Sequence, residues 1–173
     1  MGYYKVLLKS TKYDDKEYCG LDRKEIFPWN EDKTEFLALW LRYVEYTDKT
    51  PGVTSEVSFE ELHHLSKLIS KETTDLYEVV YFSEGFACPH PAEYCGIEVL
   101  SNSGYSIGAE NFIDITKGAF HPLKEEVINK FKPKLNKNYL FDDISVAKEF
   151  RAVVEDYVTD EKWNIYHIFR TFE

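Results

Sequence analysis

The sequence predicts an α+β fold: one domain over residues 1–173, with a mostly antiparallel sheet of about five strands packed against about four helices. Three observations support this prediction. Apolar residues alternate in several short segments, which is typical of strands. In other segments they recur with the spacing of an amphipathic helix. Strand-like and helix-like segments are grouped along the chain, which favours antiparallel pairing over repeated β–α–β units.

The first predicted strand covers residues 3–10, because Tyr4, Val6 and Leu8 fall on one face of an extended chain. The next segment, residues 11–30, is polar and is predicted to be a long loop. We therefore expect a strand with one buried face at the start of the chain.

Two amphipathic helices are predicted next. The first spans about residues 32–46, where apolar residues follow i, i+4 spacing before a Pro-Gly pair. The second begins at Ser58, because Ser58 and Glu61 have the spacing of a capping box. Its buried stripe is predicted to be Leu62, Leu65, Leu68 and Ile69.

The middle of the chain changes from helical to strand periodicity. Residues 75–82 and 94–100 are rich in β-branched and aromatic residues, which favours two strands. Turn-forming residues at 101–104 allow residues 105–109 to return as a hairpin partner.

Two further helices and a last strand are predicted toward the C-terminus. A short helix is stopped by Pro133, and a longer one spans about residues 144–158, capped by Asp142 or Asp143. The buried stripe of the longer helix is predicted to be Ile144, Ala147, Phe150, Val154 and Tyr157. An alternating aromatic strand over residues 163–172 follows.

The charge is unevenly distributed. The net charge is −10, and from Glu72 to Thr116 there is no Lys or Arg among eight acidic residues. A run of charge is commonly a solvated face that keeps a protein in solution. The alternative is an acidic surface that binds a basic protein. A pI near 5.0 disfavours binding to nucleic acid or to anionic membranes.

The binding alternative identifies specific residues. Tyrosine is favoured at protein interfaces, and two tyrosines flank the predicted hairpin within the acidic stretch. The candidate partner-binding residues are Glu84, Glu93, Tyr94, Glu98, Tyr105 and Glu110. In size, acidity and tyrosine content the chain resembles bacterial immunity proteins and phage-encoded inhibitors. That resemblance implies a basic partner such as a toxin, a nuclease or a defence protein.

A second candidate site is the segment between Glu84 and Cys95, in which two prolines flank His90. Its metal-ligating residues would be Cys88, His90 and Cys95, with a fourth ligand, His121 or His167, from further along the chain. The spacing lacks the C-x2-C pair of recognisable zinc sites, so a rigid loop with buried thiols is the alternative. As a nucleophile Cys88 is a poor candidate, because it precedes a proline rather than a helix.

We find no familiar enzyme signature in the sequence. We therefore expect a non-catalytic acidic protein that neutralises or regulates a basic partner, without a cofactor, in the cytoplasm, as a monomer or homodimer. One alternative is a small metal-binding or hydrolytic enzyme that uses the loop containing Cys88, His90 and Cys95. Another is an accessory subunit whose apolar strand edge is covered in a complex.

Overall fold

One antiparallel sheet organises the computed structural model. The structure describes residues 2–9, 21–22, 39, 57–72, 76–101, 124–138, 140–157, 159 and 162–173. The strands are β1 (Gly2–Lys9), β2 (Leu21–Asp22), β3 (Leu76–Ser83), β4 (Ala92–Ser101) and β5 (Trp163–Thr171). Their order across the sheet is β2-β1-β3-β5-β4, and every pair is antiparallel.

The helices in the described part of the chain are α1 (Phe59–Glu72), α2 (Glu125–Phe131) and α3 (Ile144–Tyr157). A short 3-10 turn, Lys132–Lys134, follows α2. None of these described helices has the length and apolar character needed to cross a membrane.

The predicted α+β class with an antiparallel sheet is confirmed, but the element counts differ. Within the described residues there are four long strands, the two-residue β2 and three α-helices, against about five strands and about four helices predicted. The predicted helix over about 32–46 lies outside the described residues except for Leu39, which is helical and buried. The predicted strand at 105–109 lies outside them as well.

The C-terminal strand β5 lies inside the sheet. It pairs with β3 on one side and with β4 on the other, so β3 and β4 run in the same direction without pairing. The segment of residues 84–91, called the crossing loop below, must therefore pass over β5 to join them. Strand order of this kind depends on long-range pairing and cannot be read from local periodicity.

Both helix contacts lie on one face of the sheet. In the α1 contact, helix α1 packs on β1 and β3; its buried residues include Val6, Val79, Leu62, Leu65 and Ile69. In the α3 contact, helices α2 and α3 pack on β4 and β5; its buried residues are Ile97, Val99, Ile128, Phe131, Phe141, Ala147, Phe150, Val154 and Trp163. The α1 contact and the α3 contact thus lie against different pairs of strands.

The opposite face of the sheet is buried too. Leu7, Val80 and Ile168 are all less than 3% exposed and belong to a separate cluster. The prediction that β1 has only one buried face is therefore wrong, because Val6 and Leu7 point to opposite faces and both are buried.

The predicted caps of α1 and α3 are confirmed. The amide of Ser58 donates to Glu61 Oε2 at 2.8 Å, and the amide of Glu61 donates to Ser58 Oγ at 3.2 Å, which completes the capping box. At α3, the amide of Ser145 donates to Asp143 Oδ1 at 2.7 Å, so Asp143 is the cap. The prediction that Ile144 is buried is wrong: it lies among the exposed residues of the first turn.

Strand β4 contains a bulge that only glycine can fill. The register with β5 shifts between Tyr94 and Gly96, and Gly96 has a φ of 136°, which side chains rarely adopt. A Cβ there would lie 2.6 Å from Leu140 Cβ and 2.8 Å from Asn136 Nδ2. The bulge thus lets the segment that contains Asn136, Leu140 and Phe141 approach the β4 backbone closely.

Asn136 holds this segment against the bulge. Its Nδ2 donates to the carbonyl of Cys95 at 2.8 Å and to Asp142 Oδ1 at 2.7 Å. Its Oδ1 accepts from the amides of Asn138 and Leu140. The Asn136 side chain therefore makes four hydrogen bonds, two as a donor and two as an acceptor. These bonds place Asp142 beside β4.

Candidate partner-binding surface

An aromatic row crosses the helix-bearing face of the sheet: Tyr4, Tyr81, Phe169 and Tyr94, contributed by β1, β3, β5 and β4. The centroids of Tyr4 and Tyr81 are 4.7 Å apart, and those of Phe169 and Tyr94 are 5.2 Å apart. Directly opposed aromatic residues of this kind stabilise neighbouring strands. The row separates the α1 contact from the α3 contact along β5.

The crossing loop places a second layer of rings on this row. The ring of Phe86 lies 4.8 Å from Tyr94, 5.4 Å from His167 and 5.9 Å from Phe169, measured between centroids. Phe86 is nevertheless 70% exposed. The loop therefore presents an aromatic ring at the surface, supported from below by three others.

The far end of the same loop is anchored on α1. The His90 ring stacks on Phe59 with centroids 3.7 Å apart and an interplanar angle of 3°. The ring of Tyr4 lies 5.9 Å from His90. His90 is therefore part of the packing between the loop, α1 and β1.

A hydrogen bond links Tyr94 to its neighbour on β5. The hydroxyl of Tyr94 lies 3.1 Å from Nδ1 of His167. Burial lowers the pKa of His167, so its ring is neutral near pH 7 and Nδ1 can accept the proton of the hydroxyl. Burial, followed by the nearby charge of Asp142, raises the pKa of Tyr94. The pair is thus uncharged, with a carboxylate close to it.

The predicted partner-binding residues do not share one environment or one face of the sheet. Glu84 is exposed at the end of β3, and Tyr94 is half-buried beneath Phe86. Glu93 is exposed but its side chain points to the opposite face from Tyr94, while Glu98 is only 3% exposed. Tyr105 and Glu110 lie outside the described residues.

Arg170 neutralises part of the acidic stretch. It lies on β5 between two carboxylates: its Nε is 2.7 Å from Glu78 Oε2, and its Nη1 donates to Glu93 Oε2 at 2.9 Å. Burial acts to lower the pKa of Arg170, but attraction to Glu78 and hydrogen bonds to both carboxylates raise it overall. Two carboxylates of the acidic segment, which contains no Lys or Arg, are therefore paired with an arginine that lies far away in sequence.

Two of the candidate metal ligands in the described part of the chain, Cys95 and His90, lie on opposite sides of the sheet. Cys95 belongs to the buried cluster on the opposite face of the sheet, whereas His90 packs on the helix-bearing face. Burial raises the pKa of the Cys95 thiol, which keeps it protonated. His121 lies outside the described residues, and within those described no group of three or more His, Cys, Asp or Glu side chains is placed to hold a metal ion.

The sequence did not assign three residues to this surface: Phe86, His167, which was considered only as a possible metal ligand, and Asp142, which was considered only as a helix cap. Phe86 follows a glycine in the loop that the sequence singled out for its cysteines and histidine, so a signal existed. The other two reach the surface through pairing of β5 with β4 and through the Asn136 contacts, and both are long-range. Comparison of the chain with protein-family models, with curated proteins and with solved structures gave no match.

Proposed function

We propose that this chain is a non-catalytic binding protein that neutralises or regulates a basic protein partner in the cytoplasm, in the manner of an immunity protein or phage-encoded inhibitor. The observation that carries the proposal is the exposed Phe86 ring packed on three other rings, with Glu84 close by in sequence and the carboxylate of Asp142 near Tyr94. Aromatic anchors surrounded by polar residues are the usual centres of protein interfaces.

The charge near this surface supports a basic partner. Glu84 is exposed two residues before Phe86, and the carboxylate of Asp142 acts on the phenol of Tyr94. No Lys or Arg occurs in the sequence between Glu72 and Thr116. Because Arg170 is paired with Glu78 and Glu93, the contribution of Glu93 to the field is reduced. Glu84, an exposed acid two residues from Phe86, is the residue chosen for testing the charge.

The packing of the crossing loop also supports a binding role rather than a catalytic one. The loop is held at one end by the stack of His90 on Phe59 and in the middle by Phe86 on three rings. A surface that is already ordered loses little conformational freedom when a partner binds. Within this segment Cys95 and His90 lie on opposite faces of the sheet, and His90 is used in packing.

The test uses the full chain as bait in the cells that produce it, with chemical cross-linking before capture. Wild type is compared with Glu84→Lys and with Glu126→Lys, a matched reversal at an exposed position on α2. We expect wild type and Glu126→Lys to capture one basic protein that Glu84→Lys captures poorly. With that protein purified, the association rate should fall as ionic strength rises and should be slower for Glu84→Lys.

Two results would contradict the proposal. One is a captured partner that is acidic, because an acidic surface would repel it. The other is an association rate that responds equally to the Glu84 and Glu126 reversals, since that would make the acids near the loop no different from any other surface acids.

A further inference from the structure

We propose that the corner between the Phe86 and Tyr94 rings receives an arginine side chain of the basic partner. This inference rests on the proposed function and specifies the chemistry at the centre of the same surface. It commits to one occupant, the guanidinium group of a partner protein.

The geometry of the two rings supports this occupant. Their planes meet at 72° with centroids 4.8 Å apart, so an electron-rich ring face adjoins the edge of a second ring. The Phe86 ring is largely exposed, and Tyr94 is half-buried beneath it. A planar cation can stack on one ring while its edge contacts the other.

Charge complementarity supports the same conclusion. The negative charge of Asp142 reaches the Tyr94 phenol, and the neighbouring His167 is neutral near pH 7 and does not repel a cation. In the part of the chain that the structure describes, the cation–ring contacts are those of Lys130 and Lys134 with Phe131, on α2. The Phe86 ring is thus not covered by a cation of the described residues.

Arginine fits this corner better than lysine. The guanidinium group is flat, stacks on aromatic faces and is less strongly hydrated than an ammonium group, so it loses less hydration when it binds there. Its remaining N–H groups can donate to a carboxylate near the corner. The carboxylate of Asp142 is close enough to Tyr94 to raise the pKa of its phenol.

The experiment is a titration of the full-length protein with three short peptides of one design, containing arginine, lysine or the uncharged isostere citrulline. Binding is followed by NMR through the ring protons of Phe86 and Tyr94. The variants are Phe86→Leu, which keeps an apolar side chain without a ring face, and Glu84→Gln. The matched control is Phe172→Leu, because Phe172 is also exposed but lies outside this cluster.

We expect the arginine peptide to bind wild type and Phe172→Leu equally and to bind Phe86→Leu about three- to ten-fold more weakly. The citrulline peptide should not shift the Phe86 and Tyr94 signals, and the lysine peptide should bind more weakly than the arginine peptide. Glu84→Gln should weaken both cationic peptides alike, because it removes charge and not shape.

The arginine site is overturned if Phe86→Leu binds the arginine peptide as tightly as wild type, or if citrulline or lysine binds as well as arginine. It is also overturned if the Phe86 ring proves to be covered by a second copy of the chain, seen as self-association in sedimentation that Phe86→Leu abolishes. Loss of binding in Glu84→Gln with no effect of Phe86→Leu would overturn the ring site and leave the acidic binding function in place. If no peptide binds wild type, the ring site fails, and the capture experiment alone decides the proposed function.

Discussion

The two helix contacts on one face of the sheet are stabilised in different ways. Among the described residues, the buried side chains of the α3 contact are aliphatic or aromatic without a titratable group, and the titratable Tyr94 packs only at the margin of the cluster. The α1 contact includes a buried polar chain: Thr171 donates to the carbonyl of Val79 at 2.8 Å, and its Oγ1 lies 3.1 Å from His63 Nε2. Because the hydroxyl proton of Thr171 is used on Val79, the histidine must be the donor. The same architecture therefore combines an apolar contact with one whose stability depends on protonation.

The largest expected effect comes from truncating the apolar contact. Phe150 is fully buried, with ring centroids 5.0 Å from Phe131 and 5.2 Å from Phe141. We expect Phe150→Ala to lower the free energy of unfolding by about 3–5 kcal/mol, because it leaves a cavity that the cluster fills only in part. Chemical denaturation measures this loss. The loss should be the same at pH 7.5 and pH 5.5, and a strong dependence on pH would show that this contact is not purely apolar.

A smaller effect is expected from removing hydrogen bonds of Asn136, which holds its segment against β4. In Asn136→Asp one of the two donors to the Cys95 carbonyl is lost, and a second carboxylate faces Asp142. We expect a loss of about 1–3 kcal/mol in the free energy of unfolding, because the two carboxylates repel each other and Asp142 loses its hydrogen bond, while the Cys95 carbonyl keeps a hydrogen bond from Asn138 Nδ2 at 3.1 Å. The control Asn129→Asp makes the same change at an exposed position on α2 and should have little effect. Equal losses in both variants would show that the Asn136 hydrogen bonds do not hold the segment.

The smallest effect is the dependence of the α1 contact on pH. Burial lowers the pKa of His63, so the folded chain binds fewer protons than the unfolded chain once the pH falls below the ordinary value near 6.5. Stability should therefore be highest above that pH and should decline as the pH falls toward 5.5. For one group the slope cannot exceed about 1.4 kcal/mol per pH unit.

His63→Gln tests this directly, because the amide of glutamine can donate to Thr171 but does not titrate. We expect its stability to change less between pH 7.5 and 5.5 than that of wild type. His64→Gln is the matched control, since His64 is the exposed neighbour on the same helix. If both variants keep the slope of wild type, another group is responsible; His167, whose pKa burial also lowers, is the next to test.

Much of the local structure could be predicted from the sequence. The capping box of α1 and the cap of α3 depend on residues two or three positions apart, so their spacing alone is informative. The buried residues Leu62, Leu65 and Phe150 follow helical periodicity in the same way. The burial of Leu7 was not predicted, because one strand cannot reveal that the second face of the sheet is also covered.

The candidate surface could be predicted only in part. The acidic stretch and the loop around His90 are visible in the sequence, but the role of Phe86 depends on rings from β4 and β5. The clearest example is Glu98. The periodicity of its strand does not show whether this carboxylate is exposed, and in the fold it is buried.

By itself, the sequence determined the class of the fold, the N-terminal caps of α1 and α3, and the acidity of the central segment. These features depend on residues that are neighbours along the chain. Only the tertiary structure decided the strand order, the separation of His90 from Cys95, and the pairing of Arg170 with Glu93, which is 77 residues away. The physical reason is that antiparallel pairing joins strands distant in sequence. A run of charge therefore does not describe a surface until the strands beside it are known.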